Sequence, residues 1–404
     1  MSLSRLGIEF AGIQFKNPFL LSSAPPAMDA RHILRAARLG WGGAVTKTVT
    51  EEPTVDPRTR LGALRRSGEL IGMNNIELLS REPLTTWTEK WIPKIKAEAP
   101  NDFMLITSIM SSPQPEGWTS LAETISRTGV DAIELNVSCP HGSPEKHMGA
   151  FIGQDPTLVE EVTRAARKGT DLPILVKLTP NVTDIVPIAQ AAVKGGADAL
   201  SAINTVESLI GIDIETATPL PIAYGADQTE QLGTYGGFCG PAVRPIGLRV
   251  VSQIAKALPA MPISGIGGIE NWTSAVEYLM VGARTLQVCT AVMWHGFSII
   301  KTMADGLSNF MERKGYETLE AMVGEALPKI STWTALSKLP PVVARVVEDR
   351  CTGCKDCVVA CADGGYVAIQ MREKVAVINE EKCDGCGLCA VVCGAEAIEF
   401  VYAR

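Results

Sequence analysis

The sequence predicts an α/β chain in two parts, a TIM (β/α)8 barrel and a small cysteine-rich α+β domain. Two observations predict this. Between about residue 17 and residue 300, eight short apolar runs alternate with amphipathic stretches, the pattern of parallel βα units. Beyond them, eight of the eleven cysteines crowd into the last 54 residues, in two copies of one spacing. Expected boundaries are 1–330 for the barrel, 331–345 for a linker marked by the paired prolines of ISTWTALSKLPP, and 346–404 for the cysteine-rich domain.

The eight runs are Phe19–Ala24, Gly43–Val49, Phe103–Met110, Ala132–Ser138, Ile174–Thr179, Ala199–Asn204, Pro262–Gly267 and Leu286–Ala291. Several are rich in Val, Ile and Leu without alternation, as strands buried on both faces should be. Eight such units in under ~300 residues is the size of a TIM barrel. Before them, IEFAGIQF (Ile8–Phe15) alternates like a small hairpin that could close the barrel bottom. Two connections, Thr50 to about Leu78 and Thr205 to about Pro245, are too long for turns and read as lids or binding loops.

The cysteines decide the chemistry of the tail. Cys351, Cys354, Cys357 and Cys361 form C-x2-C-x2-C-x3-C, and Cys383, Cys386, Cys389 and Cys393 repeat it. Thiolates suit iron–sulfur clusters, and this spacing is that of a bacterial two-cluster ferredoxin, in which the fourth cysteine of each run ligates the other cluster. Cys351, Cys354, Cys357 and Cys393 are therefore expected to hold one [4Fe–4S] centre, and Cys383, Cys386, Cys389 and Cys361 the other. Zinc sites and disulfides are the bland alternatives, disfavoured by the interleaving and by the reducing compartment expected for this chain. Such clusters pass electrons singly, so the chain reads as part of a redox enzyme.

Composition narrows the function class. Net charge is −7, which argues against nucleic acid. Residues 346–404 carry six basic and ten acidic side chains, a net −4 that suits an electron-transfer docking face or an ordinary solvated surface equally. No apolar run reaches the ~18 residues of a membrane span, and MSLSRLGIEF lacks the features of a secretory signal. The expected location is the cytoplasm.

Barrel active sites lie at the C-terminal ends of the strands. Those ends carry Ser22 and Ser23, Lys47, Asn136 with Ser138 and Cys139, Lys177, Asn204 and Thr205, Gly267 and Gly268, and Thr290. GIGGI (Gly265–Ile269), after the seventh run, offers backbone amides to a phosphate, and FMN is the natural guest because a flavin links hydride chemistry to single-electron clusters. Cys139, followed by the loop-like Pro140, His141 and Gly142, reads as a catalytic acid/base. His141 and His147 read as incidental, and Cys239 and Cys289 as structural. No G-x-G-x-x-G follows a first strand, so a nicotinamide site is expected on another protein.

Together these segments resemble the FMN-containing half of dihydropyrimidine dehydrogenase and, more loosely, class 1 dihydroorotate dehydrogenase. The resemblance rests on NIELLS, ELNVSCPHG, MGAFIGQDP, KLTPNVTDI, INTV, TYGGFCG and GIGGIE, and on C-x-D-x-GY-x-AI (Cys361–Ile369) in the cluster domain. It is closest to the bacterial type, in which a separate subunit carries FAD and the NAD(P)H site. It implies reduction of uracil or thymine, with hydride from FMN to C6 and a proton from Cys139 to C5. It implies pyrimidine contacts from Asn75, Asn136, Ser138, Asn204 and Thr205. FMN would be held by Ser23, Lys47, Lys177, Gly240, Gly267, Gly268 and Thr290, with the Lys177 cation stabilising the reduced form. The implied assembly is a hetero-oligomer, with dimerisation through the barrel open.

Two departures stand out. The proline usual after the fourth cysteine is replaced by Ala362 and Gly394, and the segment from Ile210 to Gly233 does not align with the family. The rival readings are a dihydroorotate dehydrogenase, a relative reducing another unsaturated ring, and an electron-transfer protein whose barrel has lost catalysis.

Overall fold

The computed structural model describes residues 3–140, 147–224 and 229–403, and the chain divides into two compact units, Met1–Pro328 and Lys329–Arg404. In the first unit eight strands close a barrel: β1 (Phe19–Leu21), β2 (Gly43–Val45), β3 (Met104–Ile109), β4 (Ala132–Asn136), β5 (Ile174–Leu178), β6 (Ala199–Ala202), β7 (Ile263–Ile266) and β8 (Thr285–Val288). Each pairs in parallel with its sequence neighbours, and β8 returns to β1 with Leu286 opposite Phe19. All eight lie within or across the expected apolar runs. They are shorter, because pairing stops where each chain turns out onto the rim. The polar residues that ended the runs therefore belong mostly to loops.

A helix follows each strand: α1 (Ala30–Leu39), α2 (Ile92–Glu98), α3 (Pro115–Ser126), α4 (Pro156–Lys168), α5 (Val186–Gly195), α6 (Arg244–Ala257), α7 (Trp272–Met280) and α8 (Ile299–Lys314). Local sequence sets their starts. Asp29 caps α1 by accepting from the His32 amide at 2.8 Å, Asp155 caps α4 ahead of Pro156, and Asn271 forms a capping box with Ser274 on α7. The inner face of α1 buries Ile33 and Leu34, worth roughly 3–6 kcal/mol together.

The Ile8–Phe10/Ile13–Phe15 hairpin forms as expected, with Ile8, Phe10 and Phe15 buried. Arg284, just before β8, donates to the Glu9 carbonyl at 3.0 Å, so the hairpin sits at the N-terminal end of that strand. The two long connections are not independent flaps. Leu61–Arg66, Glu69–Asn75, Gly236–Cys239 and Val206–Ser208 unite in one antiparallel four-stranded sheet, with Gly237 opposite Asn75. The described part of the unaligned 210–233 segment adds two short hairpins.

In the second unit, Val342–Val346 pairs antiparallel with Ile398–Tyr402, and Ile369–Arg372 with Val375–Ile378. The expected linker thus already carries structure: a short helix at Trp333–Leu336, then a strand four residues ahead of the expected boundary. That strand belongs with the cluster fold because Val343 and Ala344 are buried there. Among the described residues no helix is long and apolar enough to cross a membrane.

Candidate active site and cluster sites

The C-terminal ends of the barrel strands and the rim sheet enclose one cavity of about 1110 Å3, its open mouth included. Its wall contains Ser23, Lys47, Asn75, Asn136, Cys139, Lys177, Asn204, Thr205, Gly240, Gly267, Gly268 and Thr290. Twelve of the thirteen expected barrel-site residues therefore converge, from seven of the eight strand ends and the rim sheet.

Ser138 is the exception. Expected to touch the ring, it is fully buried behind the wall. Its hydroxyl donates to Asn136 Oδ1 at 3.0 Å and accepts from Asn204 Nδ2 at 2.9 Å, so it sets the two amides that do face the cavity. It is one link in a continuous hydrogen-bonded chain. Ser23 meets Thr48 at 3.0 Å, Asn136 donates to Thr48 at 2.9 Å, and Asn204 accepts from the Thr205 amide at 2.8 Å. Ser108 joins at Thr48, also at 2.9 Å. Side chains fixed this way present donors and acceptors in set directions, which is what recognition of a planar polar ring requires. From the sheet above, Asn75 Nδ2 donates to the Gly237 carbonyl at 2.8 Å.

Two lysines bring buried positive charge, and each has a carboxylate partner. Lys47 Nζ lies 3.0 Å from Glu77 Oε2, and Arg60 bonds the other Glu77 oxygen. Burial pushes the Glu77 carboxyl up, but Lys47 and Arg60 more than offset it and hold it below the usual carboxylate range. Asp56 extends this ionic line to Arg81 at 2.6 Å. Lys177 Nζ lies 3.8 Å from Glu134 Oε1, inside the barrel.

One end of the cavity is shaped for a phosphate. Gly267 and Gly268, both at positive φ, follow β7, while Gly240 precedes the turn into α6 and Thr290 opens a short helix after β8. A Cβ on Gly268 would lie 2.8 Å from the Gly240 carbonyl oxygen and 2.8 Å from Arg244 Cβ. Only glycine lets these backbones close up with their amides exposed, as a bound phosphate needs. Tyr278, buried under the loop, donates its hydroxyl to the Gly267 carbonyl at 2.7 Å. The glycine cradle, two buried lysines and fixed polar floor fit a flavin mononucleotide.

Cys239 and Cys289, expected to be structural, both line this cavity. Cys239 Sγ donates to the Met73 carbonyl at 3.2 Å. Burial pushes its thiol up, partly offset by hydrogen bonds with Thr290 and Asn75, and burial pushes Cys289 up to about 12. Both are neutral at ordinary pH and serve as wall. Cys139 also lines the cavity, 8% exposed. His141 falls outside the described residues, and His147 stacks on Phe151 at 4.5 Å.

In the second unit the eight tail cysteines fall into two groups. One cavity of about 360 Å3 is lined by Cys351, Cys354, Cys357 and Cys393, and another of about 340 Å3 by Cys361, Cys383, Cys386 and Cys389. The fourth cysteine of each run lies with the other run's first three. Among the described residues no three such side chains converge on a single-ion site; the thiols surround a void, as a cluster requires. Backbone amides point at sulfur in both halves: Ala344 to Cys383 at 3.4 Å, Ala368 to Cys361 and Ala397 to Cys393 at 3.3 Å. The repeat extends to the turns. Gly353 and Gly385 hold φ of 72° and 69°, and a Cβ on either would strike a backbone carbonyl, that of Lys374 or Val342 respectively.

Residues 5–311, the barrel, match the dihydroorotate dehydrogenase family. The chain belongs to that family. Residues 344–400 match the 4Fe-4S dicluster domain, and the enzyme is an oxidoreductase of the dehydrogenase kind, as the resemblance implied. The chain is 39% identical over 372 residues to the NAD-dependent dihydropyrimidine dehydrogenase subunit PreA of Escherichia coli (strain K12), covering 91% of this chain and 88% of that one. It is 37% identical to the chloroplastic dihydropyrimidine dehydrogenase (NADP(+)) of Arabidopsis thaliana, over 82% and 79% of the two chains. The catalytic subunit of dihydroorotate dehydrogenase B (NAD(+)) from Pyrococcus abyssi is 39% identical, over 80% of this chain and 99% of that one.

Reading the sequence alone missed Thr48, Ser108, Glu77, Arg60, Glu134 and Gln287. Glu134 and Gln287 carried a signal, each a long polar side chain with apolar residues on both sides within its strand. Glu77 and Arg60 carried none, because their partners are distant in sequence.

Proposed function

We propose that this chain is the FMN and iron–sulfur subunit of an NAD(P)H-dependent dihydropyrimidine dehydrogenase, reducing the C5=C6 bond of uracil and thymine to the 5,6-dihydropyrimidine. The observation that carries this reading is the extent of the likeness. The dihydropyrimidine dehydrogenase subunit matches over 91% of this chain, whereas the dihydroorotate dehydrogenase catalytic subunit is used up over 80% of it. The charge inventory supports the same choice. Among the described lining residues the only cations are Lys47 and Lys177, both assigned to FMN, which leaves none beyond the flavin lysines for an orotate carboxylate.

FMN, when bound, would supply the hydride for C6 and take up electrons one at a time. The residues of this chain do the rest. Gly240, Gly267, Gly268 and Thr290 would hold the phosphate end of the cofactor, Ser23 and Lys47 would also hold it, and Lys177 would offer a cation to the ring system. Asn75, Asn136, Asn204 and Thr205 hold the pyrimidine by its alternating donors and acceptors, with Ser138 fixing two of those amides from behind. Cys139 gives its thiol proton to C5 from the face opposite the hydride. Cys351, Cys354, Cys357 and Cys393 would hold one cluster and Cys361, Cys383, Cys386 and Cys389 the other, and these would pass on electrons from a partner protein that carries FAD and the NAD(P)H site, in the cytoplasm.

The test is anaerobic turnover by the purified chain, with reduced viologen as donor and uracil, thymine and orotate in parallel. The expected result is FMN absorbance, about eight iron per chain, and consumption of uracil and thymine but not orotate. Turnover of orotate alone, or of another ring but neither pyrimidine, overturns the substrate assignment. Clusters without any ring reduction would favour a purely electron-carrying role.

A further inference from the structure

The interior of a TIM barrel is ordinarily packed with branched apolar side chains. Here it holds a carboxylate. Glu134, on β4, is fully buried, and its Oε2 accepts from Ser201 Oγ at 2.8 Å and from Gln287 Nε2 at 2.9 Å. Ser201 is on β6, two strands away, and Gln287 on β8, four strands away in a closed ring of eight, so the Gln287 bond crosses the barrel's interior. Both donors converge on that one oxygen. The other oxygen, Oε1, is buried and accepts no hydrogen bond, and what it faces is Lys177 Nζ at 3.8 Å. Lys177 is itself 4% exposed and forms part of the cavity wall.

At 3.8 Å, without a hydrogen bond, the carboxylate offsets the lysine's charge but leaves all three ammonium donors available to whatever fills the cavity. A direct bond would have turned them downward. A buried charge left uncompensated would instead lose its proton or carry a large penalty. We propose that Glu134 is a positioning residue for the cofactor: a counter-ion beneath Lys177, held by Ser201 and, from across the barrel, by Gln287, that sets the charge presented to FMN and so its reduction potential. This rests on the flavin reading of the cavity, not on the identity of the substrate ring.

The ordering of charges gives a prediction that a merely structural role would not. Reduction adds negative charge to the flavin. Removing the carboxylate should favour the reduced form, and removing the lysine should disfavour it. The experiment measures the FMN midpoint potential and the dissociation constant for sulfite, an anionic probe of the oxidised flavin, in the full chain and three variants. The expected order of potentials is Glu134→Gln, wild type, Glu134→Gln/Lys177→Gln, then Lys177→Gln, highest to lowest. The first step should be at least tenfold in the two-electron equilibrium constant, about 30 mV, with sulfite binding tighter in parallel. The double variant buries no charge, so it keeps the comparison available if a single variant fails to fold. A Glu134→Gln potential equal to or below wild type, or a double variant at or above wild type, overturns the inference. A wild-type chain without flavin absorbance refutes the cofactor reading instead, and the two failures are thereby distinct.

Discussion

Replacing Glu77 by glutamine should release the rim hairpin while leaving the barrel folded. Arg60 and Glu77 flank the hairpin Leu61–Arg66/Glu69–Asn75 at its two ends, and Lys47, just beyond β2, ties the pair to the barrel. At 3.0 Å the Lys47–Glu77 attraction is about 5 kcal/mol with an effective dielectric near 20. Both side chains are only 10% exposed, so screening removes little of it, whereas Arg60 at 30% contributes less. An amide keeps the acceptor and the shape, so the net loss should fall at the low end for a broken buried pair, about 3 kcal/mol. That is roughly a hundredfold more opening of the hairpin. Hydrogen–deuterium exchange reads this directly: amides in 61–75 should exchange about a hundred times faster while those in α3–α5 do not change. Because the Glu77 carboxyl is held below its usual 4.5, its contribution is complete above that value and is lost as pH falls through the lowered one. Wild-type hairpin protection, corrected for intrinsic exchange, should therefore be flat from pH 5 to 8 and fall only in acid, with no such step in the variant. Unchanged exchange in 61–75, or loosening spread evenly over the barrel, would refute the reasoning.

Other expectations concern the chemistry. Cys139→Ala should retain FMN and iron and lose about 10²–10⁴ in turnover, the usual contribution of a general acid, whereas Cys289→Ala should keep most of it; steady-state viologen oxidation checks both. Cys393→Ser should perturb the cluster held by Cys351, Cys354 and Cys357, and Cys361→Ser the other, each leaving about four iron undisturbed by iron analysis and low-temperature spectroscopy. Gly268→Ala at φ +71° should cost about 1–2 kcal/mol of backbone strain besides its contact with Gly240. Measured by flavin fluorescence on dialysis, FMN should be held at least tenfold more weakly.

The features legible in the sequence are those whose physics is local or strictly spaced. Strand runs such as ILVKL show their burial on both faces, and two cysteine runs with one spacing group in the way that spacing implies. The strand-end rule also located most of the cavity wall, since Lys47, Asn136, Cys139, Lys177 and Asn204 each follow or close an apolar run. What stayed hidden depends on which distant segments meet. Nothing near Thr50–Leu78 or Thr205–Pro245 says that they pair into one sheet, because register across more than a hundred residues is set by the barrel beneath. Cys239 and Cys289 look like core thiols until the rim closes over them. Ser138, one residue from the catalytic candidate, faces away from the cavity because its hydroxyl is taken up by Asn136 and Asn204.

By itself the sequence determined a parallel barrel, a two-cluster ferredoxin-like domain and the family to which they belong, because periodicity and ligand spacing are properties of short stretches. Tertiary structure alone decided the electrostatics: that each cavity lysine has a carboxylate, that one carboxylate clamps the rim hairpin, and that the other is held from the far side of the barrel. Coulomb interactions depend on distance through space. Ring closure brought Glu134, Ser201 and Gln287, as many as 153 residues apart, within hydrogen-bonding distance.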